Sequence, residues 1–192
     1  MAWKSLTLVV ALTSIATPGY PCSVTRIPSA AELVTEAEAI VLMRAEGLAT
    51  QKGRSGSFAG SDTQVRFRVV EILKGTVPGE IIEFNGALTE QDDRNDRPVP
   101  YDFIRPGGRH GNCVALEYRQ GAEYLLLLKR SSNQAALPDT LTPYWAALAP
   151  TNEQVFGSAD PWVAWVRKTV ADLRKRPGVV ATGWGWRRSA SG

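Results

Sequence analysis

The chain has 192 residues, enough for one ordinary domain and too few for two full cores. Hydrophobic residues make up 44% and charged residues 21%, which excludes a disordered polyelectrolyte, and a net charge of +3 is too mild for a dedicated nucleic-acid binder. One histidine and two cysteines exclude a multi-ligand Cys/His zinc site built by this chain alone and argue against most hydrolase triads.

Residues 1–16 read as a signal peptide. Lys4 supplies a short positive start, and Ser5 to Ala16 form an apolar run too short to span a bilayer as a mature helix. Ser14 and Ala16 place small residues at the −3 and −1 positions of a cleavage site, and Pro18 would stop a helix there. A buried N-terminal helix is the alternative. Gly19, Tyr20 and Pro21 before Cys22 do not fit a lipid-attachment signal, so the expected product is exported, periplasmic or secreted, without a stable membrane anchor. In an oxidising compartment Cys22 and Cys113 most simply form a disulfide tying the mature N-terminus to mid-chain. Two independent buried thiols are the alternative. The absence of a Cys-x-x-Cys spacing argues against a redox pair.

Ser29 and Glu32 have capping-box spacing and predict a short helix over roughly 30–37. Ala39 to Leu48 reads as a strand, and residues 49–63, rich in Gly, Ser and Gln, as a mobile tip or loop. Val65, Phe67 and Val69 alternate with Arg66 and Arg68, the period of a sheet with one wet face, and this strand runs to Lys74-Gly75. Pro78-Gly79 predicts a turn into a strand over 80–84, and residues 85–112 a long polar loop. Cys113 to Arg119 is expected as a further strand, joined by a tight hairpin at Gly121 to Tyr124–Leu128. That last run is apolar on both faces and therefore central.

Residues 131–159 look irregular, with one short strand near Trp145–Ala149. Asp160-Pro161 then opens a helix over 161–176, with Trp162, Trp165, Val166, Val170 and Leu173 on one stripe for packing on the barrel. Pro177-Gly178 ends it, and 177–192 reads as a flexible tail. The fold class is mainly β: a five-stranded Greek-key barrel over 22–130 with a short early helix, followed by a C-terminal extension over 131–176 that carries the late helix. A β-sandwich is the competing fold.

A cysteine soon after an export signal, a Ser-capped helix and a strand ending in Lys74-Gly75 come first. A second cysteine at 113 and the run Gln120-Gly121-Ala122-Glu123-Tyr124-Leu125-Leu126 follow. Together they resemble the N-terminal domain of the tissue inhibitors of metalloproteinases and the related netrin-type modules. The resemblance covers about 22–130 and implies a five-stranded OB-like barrel. In that family the mature chain begins at the cysteine, whose free α-amine and carbonyl chelate a protease's zinc. Carried over, it makes Cys22 and Ser23 the protease-contacting residues and Cys113 the disulfide partner. The chain departs from the pattern at Val24, where the inhibitors carry another cysteine, and at Pro21, a poor residue to precede a cleavage point.

Other chemistry is sparse. His110, in a glycine loop, is the one candidate general base, with solvation as the plainer reading. Asp92, Asp93 and Asp96 lack the spacing of a calcium loop and read as solvated. Arg66 and Arg68 mark a candidate ligand face, and Trp184, Trp186, Arg187 and Arg188 a tail able to touch a membrane or glycan. No metal or cofactor is expected, nor a nucleic-acid ligand. The leading expectation is a non-catalytic exported binding module with a protein partner. A metalloprotease inhibitor acting through Cys22 and an enzyme using His110 are the alternatives.

Overall fold

The computed structural model describes residues 22, 24–49, 63–109, 111–130 and 140–175. The signal segment 1–16, Ser23, most of the 49–63 loop, His110 and the tail 177–192 with Trp184, Trp186, Arg187 and Arg188 lie outside the described residues.

The molecule is mainly β. Helix α1 (Ala30–Glu36) leads into strands β1 (Ala39–Leu48), β2 (Gln64–Lys74), β3 (Ile81–Asn85) and β4 (Ala87–Thr89). After a single 3₁₀ turn at Pro106–Gly108 come β5 (Glu117–Arg119), β6 (Glu123–Arg130), β7 (Leu141–Thr142), β8 (Asn152–Val155) and helix α2 (Pro161–Arg174). The main sheet runs β3-β2-β1-β6-β7, with β8 also on β6, and every pairing in it is antiparallel. It curls into a nearly closed, OB-like barrel with the two helices outside. Three register shifts between β1 and β2, at Ile40/Val41, Leu42/Met43 and Ala45/Gly47, supply the bulges that curl it.

Two cores share the central strands. Val41 and Met43 of β1, Phe67 of β2 and Tyr124, Leu126 and Leu128 of β6 fill the barrel with Phe84 and Tyr118. Ile40 and Leu42 of β1 with Leu125 and Leu127 of β6 face the other way, onto Leu33 and Val34 of α1 and Trp162, Val163 and Val166 of α2. Being covered on both faces, β6 needs no polar residue from Tyr124 to Leu128, which is why the run reads as continuous. Burying each such leucine contributes about 2 kcal/mol.

The helix ends are satisfied locally. Ser29 Oγ accepts from the Glu32 amide while Glu32 accepts from the Ser29 amide, closing the capping box. Asp160 accepts from the Trp162 amide at the start of α2. Lys74 Nζ donates to the carbonyls of Val34 and Thr35 at 2.8 Å each, capping the C-terminal end of α1 from the neighbouring strand. Gly75 follows at φ +70°, and a Cβ there would collide with the Glu38 carbonyl oxygen.

Four expectations need correction. The segment 113–119 is a strand only over Glu117–Arg119, and it pairs in parallel with β4 instead of forming a hairpin with β6. The carbonyls of Ala115 and Glu117 accept from the Arg105 side chain, and that of Ala115 also from Asn152 Nδ2, so these two are taken by side chains and not by a neighbouring strand. The stretch 85–112 is not all loop, since β4 lies within it. Trp145–Ala149 forms turns, and the strands of that region are β7 and β8 instead. Because both pair with β6, the segment after 130 completes the same sheet that precedes it.

Candidate functional site

The two cysteines are bonded, with Cys22 and Cys113 Cα atoms 5.7 Å apart across 91 positions of sequence. Cys113 adopts φ 61° and Leu148 φ 60°, and the Leu148 amide donates to the Cys113 carbonyl at 2.7 Å. The first described residues are thereby pinned against the 144–149 turns. Beside them lies a groove of about 380 Å³ lined by Val24, Arg26, Glu36, Lys129 and Trp145. Trp145 is held by its indole N–H on the Leu127 carbonyl, with the Lys129 ammonium 5.0 Å from its ring centre.

Arg66 and Arg68 point outward from β2, as the burial of Val65 and Phe67, with which they alternate, requires. Neither is uncompensated. Arg68 pairs with Glu46 and Arg66 approaches Glu83 at 4.0 Å, so this candidate ligand face is a mixed-charge surface. Trp162 is fully buried, stacked on Trp165 at 5.2 Å and packed on Tyr101 at 4.9 Å, which assigns the α2 aromatics to the core.

The acidic cluster is corrected most. Asp92, Asp93 and Asp96 are not simply solvated, because each meets an arginine: Asp92 bridges Arg94 and Arg119, Asp93 meets Arg105, and Asp96 takes two bonds from Arg109. Arg105 is fully buried. Besides Asp93, its guanidinium donates to the carbonyls of Asn152, Ala115 and Glu117, so the charge is spread over four acceptors. Asp93 also accepts from the Gly107 amide. Glu153, equally buried, accepts from the Arg105 amide and from Asn95 Nδ2. Burial pushes its carboxyl up to about 7, opposed by the nearby Arg105 charge and by the Asn95 and Arg105 hydrogen bonds. These contacts weld the 92–109 segment to β8. The inner part of this network, Arg105, Asp93 and Glu153, is structural in character, since these groups face one another and not solvent.

At the edge of the network lies a second cleft, of about 410 Å³, lined by Arg94, Arg119, Gly121, Glu123 and Phe156. Sequence reasoning missed it because its members are scattered over 94–156. The Arg94 guanidinium lies 4.0 Å over the Phe156 ring, and Phe156 is 76% exposed. Arg44 bonds Glu123 at 2.6 Å on the same rim.

Among the described residues no three His, Cys, Asp or Glu side chains come together as a metal site. Comparison of the chain with protein-family models, with curated proteins and with solved structures finds no match.

Proposed function

We propose that the chain is an exported, non-catalytic binding module on an OB-like barrel resembling that of the metalloproteinase inhibitors. The observation that carries this reading is the Cys22–Cys113 disulfide, a bond that persists in oxidising compartments and that here fixes the N-terminal segment beside a surface groove. Export fits the leader-like residues 1–16 and the finding that no described helix is long and apolar enough to cross a membrane. Binding fits the way the buried Asp93–Arg105 pair and the more exposed Asp96–Arg109 pair lock the connecting segments, since preorganised loops lose little entropy when a partner docks.

The disulfide also favours a second reading, inhibition of a zinc metalloprotease through the α-amine and carbonyl of Cys22. That chemistry needs Cys22 to be the first residue of the mature protein, with its amine unprotonated. N-terminal sequencing of the product secreted from the full chain separates the two. A terminus at Thr17 is expected and leaves a module with a blocked cysteine, whereas a terminus at Cys22 makes the inhibitor reading the correct one. A product that retains Met1, or that has two titratable thiols, overturns export and the binding-module reading with it.

A further inference from the structure

We infer that the cleft between Arg94, Arg119 and Phe156 binds a peptide segment that carries a carboxylate beside an apolar side chain. This inference rests on the binding-module reading and names the chemistry of its ligand.

Three features of the cleft point that way. First, its cations outnumber its anions: Arg94 and Arg119 share the single carboxylate of Asp92, while Arg44 takes Glu123. One guanidinium charge is left over for an incoming anion, and a guanidinium fork suits a carboxylate. Second, Phe156 is an exposed aromatic whose place is fixed. Its amide donates to Asp160 Oδ2, the same carboxylate that caps α2, and Arg94 stacks on its ring. It is the most exposed large hydrophobic side chain among the described residues, ahead of Leu48 at 51%. A flat ring beside a cation offers a ligand one apolar and one charged contact a few ångströms apart.

Third, the cleft is already rigid. The backbone of Arg94 bridges to Gln154 of β8. The Arg119 amide donates to the Tyr124 hydroxyl, and the turn that follows is held by the Gly121 amide on the Ala45 carbonyl, with Gly121 at φ +79°. Little ordering is required on binding.

The carboxylates decide against a polyanion. Asp92 and Glu123 interrupt the positive potential, so a nucleic acid or a sulfated glycan would meet like charges within the same cleft. A single carboxylate flanked by apolar groups avoids them.

The test uses the secreted full chain and dye-labelled, C-terminally amidated peptides in which Glu or Gln stands between Leu and Phe, read by fluorescence anisotropy. A third peptide keeps the Gln but carries a free C-terminal carboxylate, separating a side-chain anion from a terminal one. The expected result is binding about tenfold tighter for the carboxylate peptides than for the amidated Gln peptide, from one charge-assisted contact. That preference should disappear in Arg119→Gln, and overall affinity should fall in Phe156→Ala, each variant having an unchanged thermal melt. Phe156→Ala, at so exposed a position, keeps the fold in any case. Equal binding of Glu and Gln peptides, no binding at all, or wild-type affinity in both variants overturns the inference. Tighter binding of heparin, lost in the same variants, overturns it in favour of a polyanion site. Any of these results on a correctly processed, disulfide-bonded protein leaves export standing, whereas a protein that keeps Met1 fails the earlier reading whatever it binds.

Discussion

The Arg105 guanidinium lies fully buried against the carboxylate of Asp93, twelve positions earlier in the chain, and the two close the 92–109 segment onto the end of the barrel. A buried charge without its partner is far costlier than the pair is stabilising. Removing Asp93 alone therefore leaves an uncompensated buried charge. Asp93→Ala should lower the free energy of unfolding by about 3–5 kcal/mol, with Arg105→Met costing a similar amount through its orphaned carbonyls. The double variant should lose clearly less than the two single losses added together. Urea unfolding of the four proteins checks this, and strict additivity would show that the residues act independently.

Glu153 supplies a pH dependence. Its buried carboxyl titrates near 7, above its ordinary value of 4.5. The folded protein thus keeps a proton that the unfolded chain has released between those values. Its contribution to stability is greatest below about pH 4.5, falls as pH rises toward 7 and is flat beyond, a swing of about 3 kcal/mol. Arg105 and Asp93 are the charges nearest it, and Asn95 its neutral partner. In Glu153→Gln the slope across this window should disappear. Stability at pH 5 should drop by about 1 kcal/mol, because the new amide has one acceptor oxygen for the two donors, Asn95 Nδ2 and the Arg105 amide. Urea midpoints measured from pH 4.5 to 8 give both quantities, and an unchanged slope would assign the titration elsewhere.

Much of the scaffold is legible in the residues themselves, and what is hidden has a physical reason. Helix α1 shows its capping box, β2 its alternation, and β6 an apolar run that only a doubly covered strand tolerates. Strand β8 is hidden because Asn152, Glu153 and Gln154 are buried with polar side chains. Their side chains bond to Tyr118, Asn95 and Asp92, far away in sequence, so no local period marks them as inward-facing. The same holds for the clustered aspartates, whose spacing shows an acidic loop but not the arginines that neutralise it. The disulfide follows from counting cysteines once export is assumed. The Phe156 cleft follows from nothing local.

Lys74 and Gly75, part of the pattern that resembles the inhibitor barrels, have structural work here. Lys74 closes the C-terminal end of α1, and Gly75 lets β2 turn away beside Glu38. Lys74→Met should cost about 1–2 kcal/mol by leaving two helix carbonyls unpaired. Gly75→Ala should cost more, about 2–4 kcal/mol, because a left-handed residue would also press on a backbone oxygen. Thermal melts of both variants test the order. Gly75→Ala matching wild type would mean that the β2 end can shift without loss.

The bridge from Cys22 to Cys113 should stabilise the protein chiefly by restricting the unfolded chain. A closed loop of 91 residues contributes about 4.6 kcal/mol in the chain-entropy model. Replacing both cysteines by serine should therefore move the urea midpoint down sharply, with little change in how the barrel itself is packed. The same change should loosen one place more than others. Cys113 and Leu148 both hold left-handed backbone angles, a conformation costing such residues roughly 1 kcal/mol or more each, and the bridge helps to keep Cys113 there. Without it, amide exchange at Leu148, which donates to the Cys113 carbonyl, should accelerate well beyond the change in global stability. The Leu127 amide, bonded to the Thr151 carbonyl inside the sheet, should follow the global change alone. Parallel exchange at the two amides would show that the bridge acts only on the unfolded state and leaves the native edge as it is.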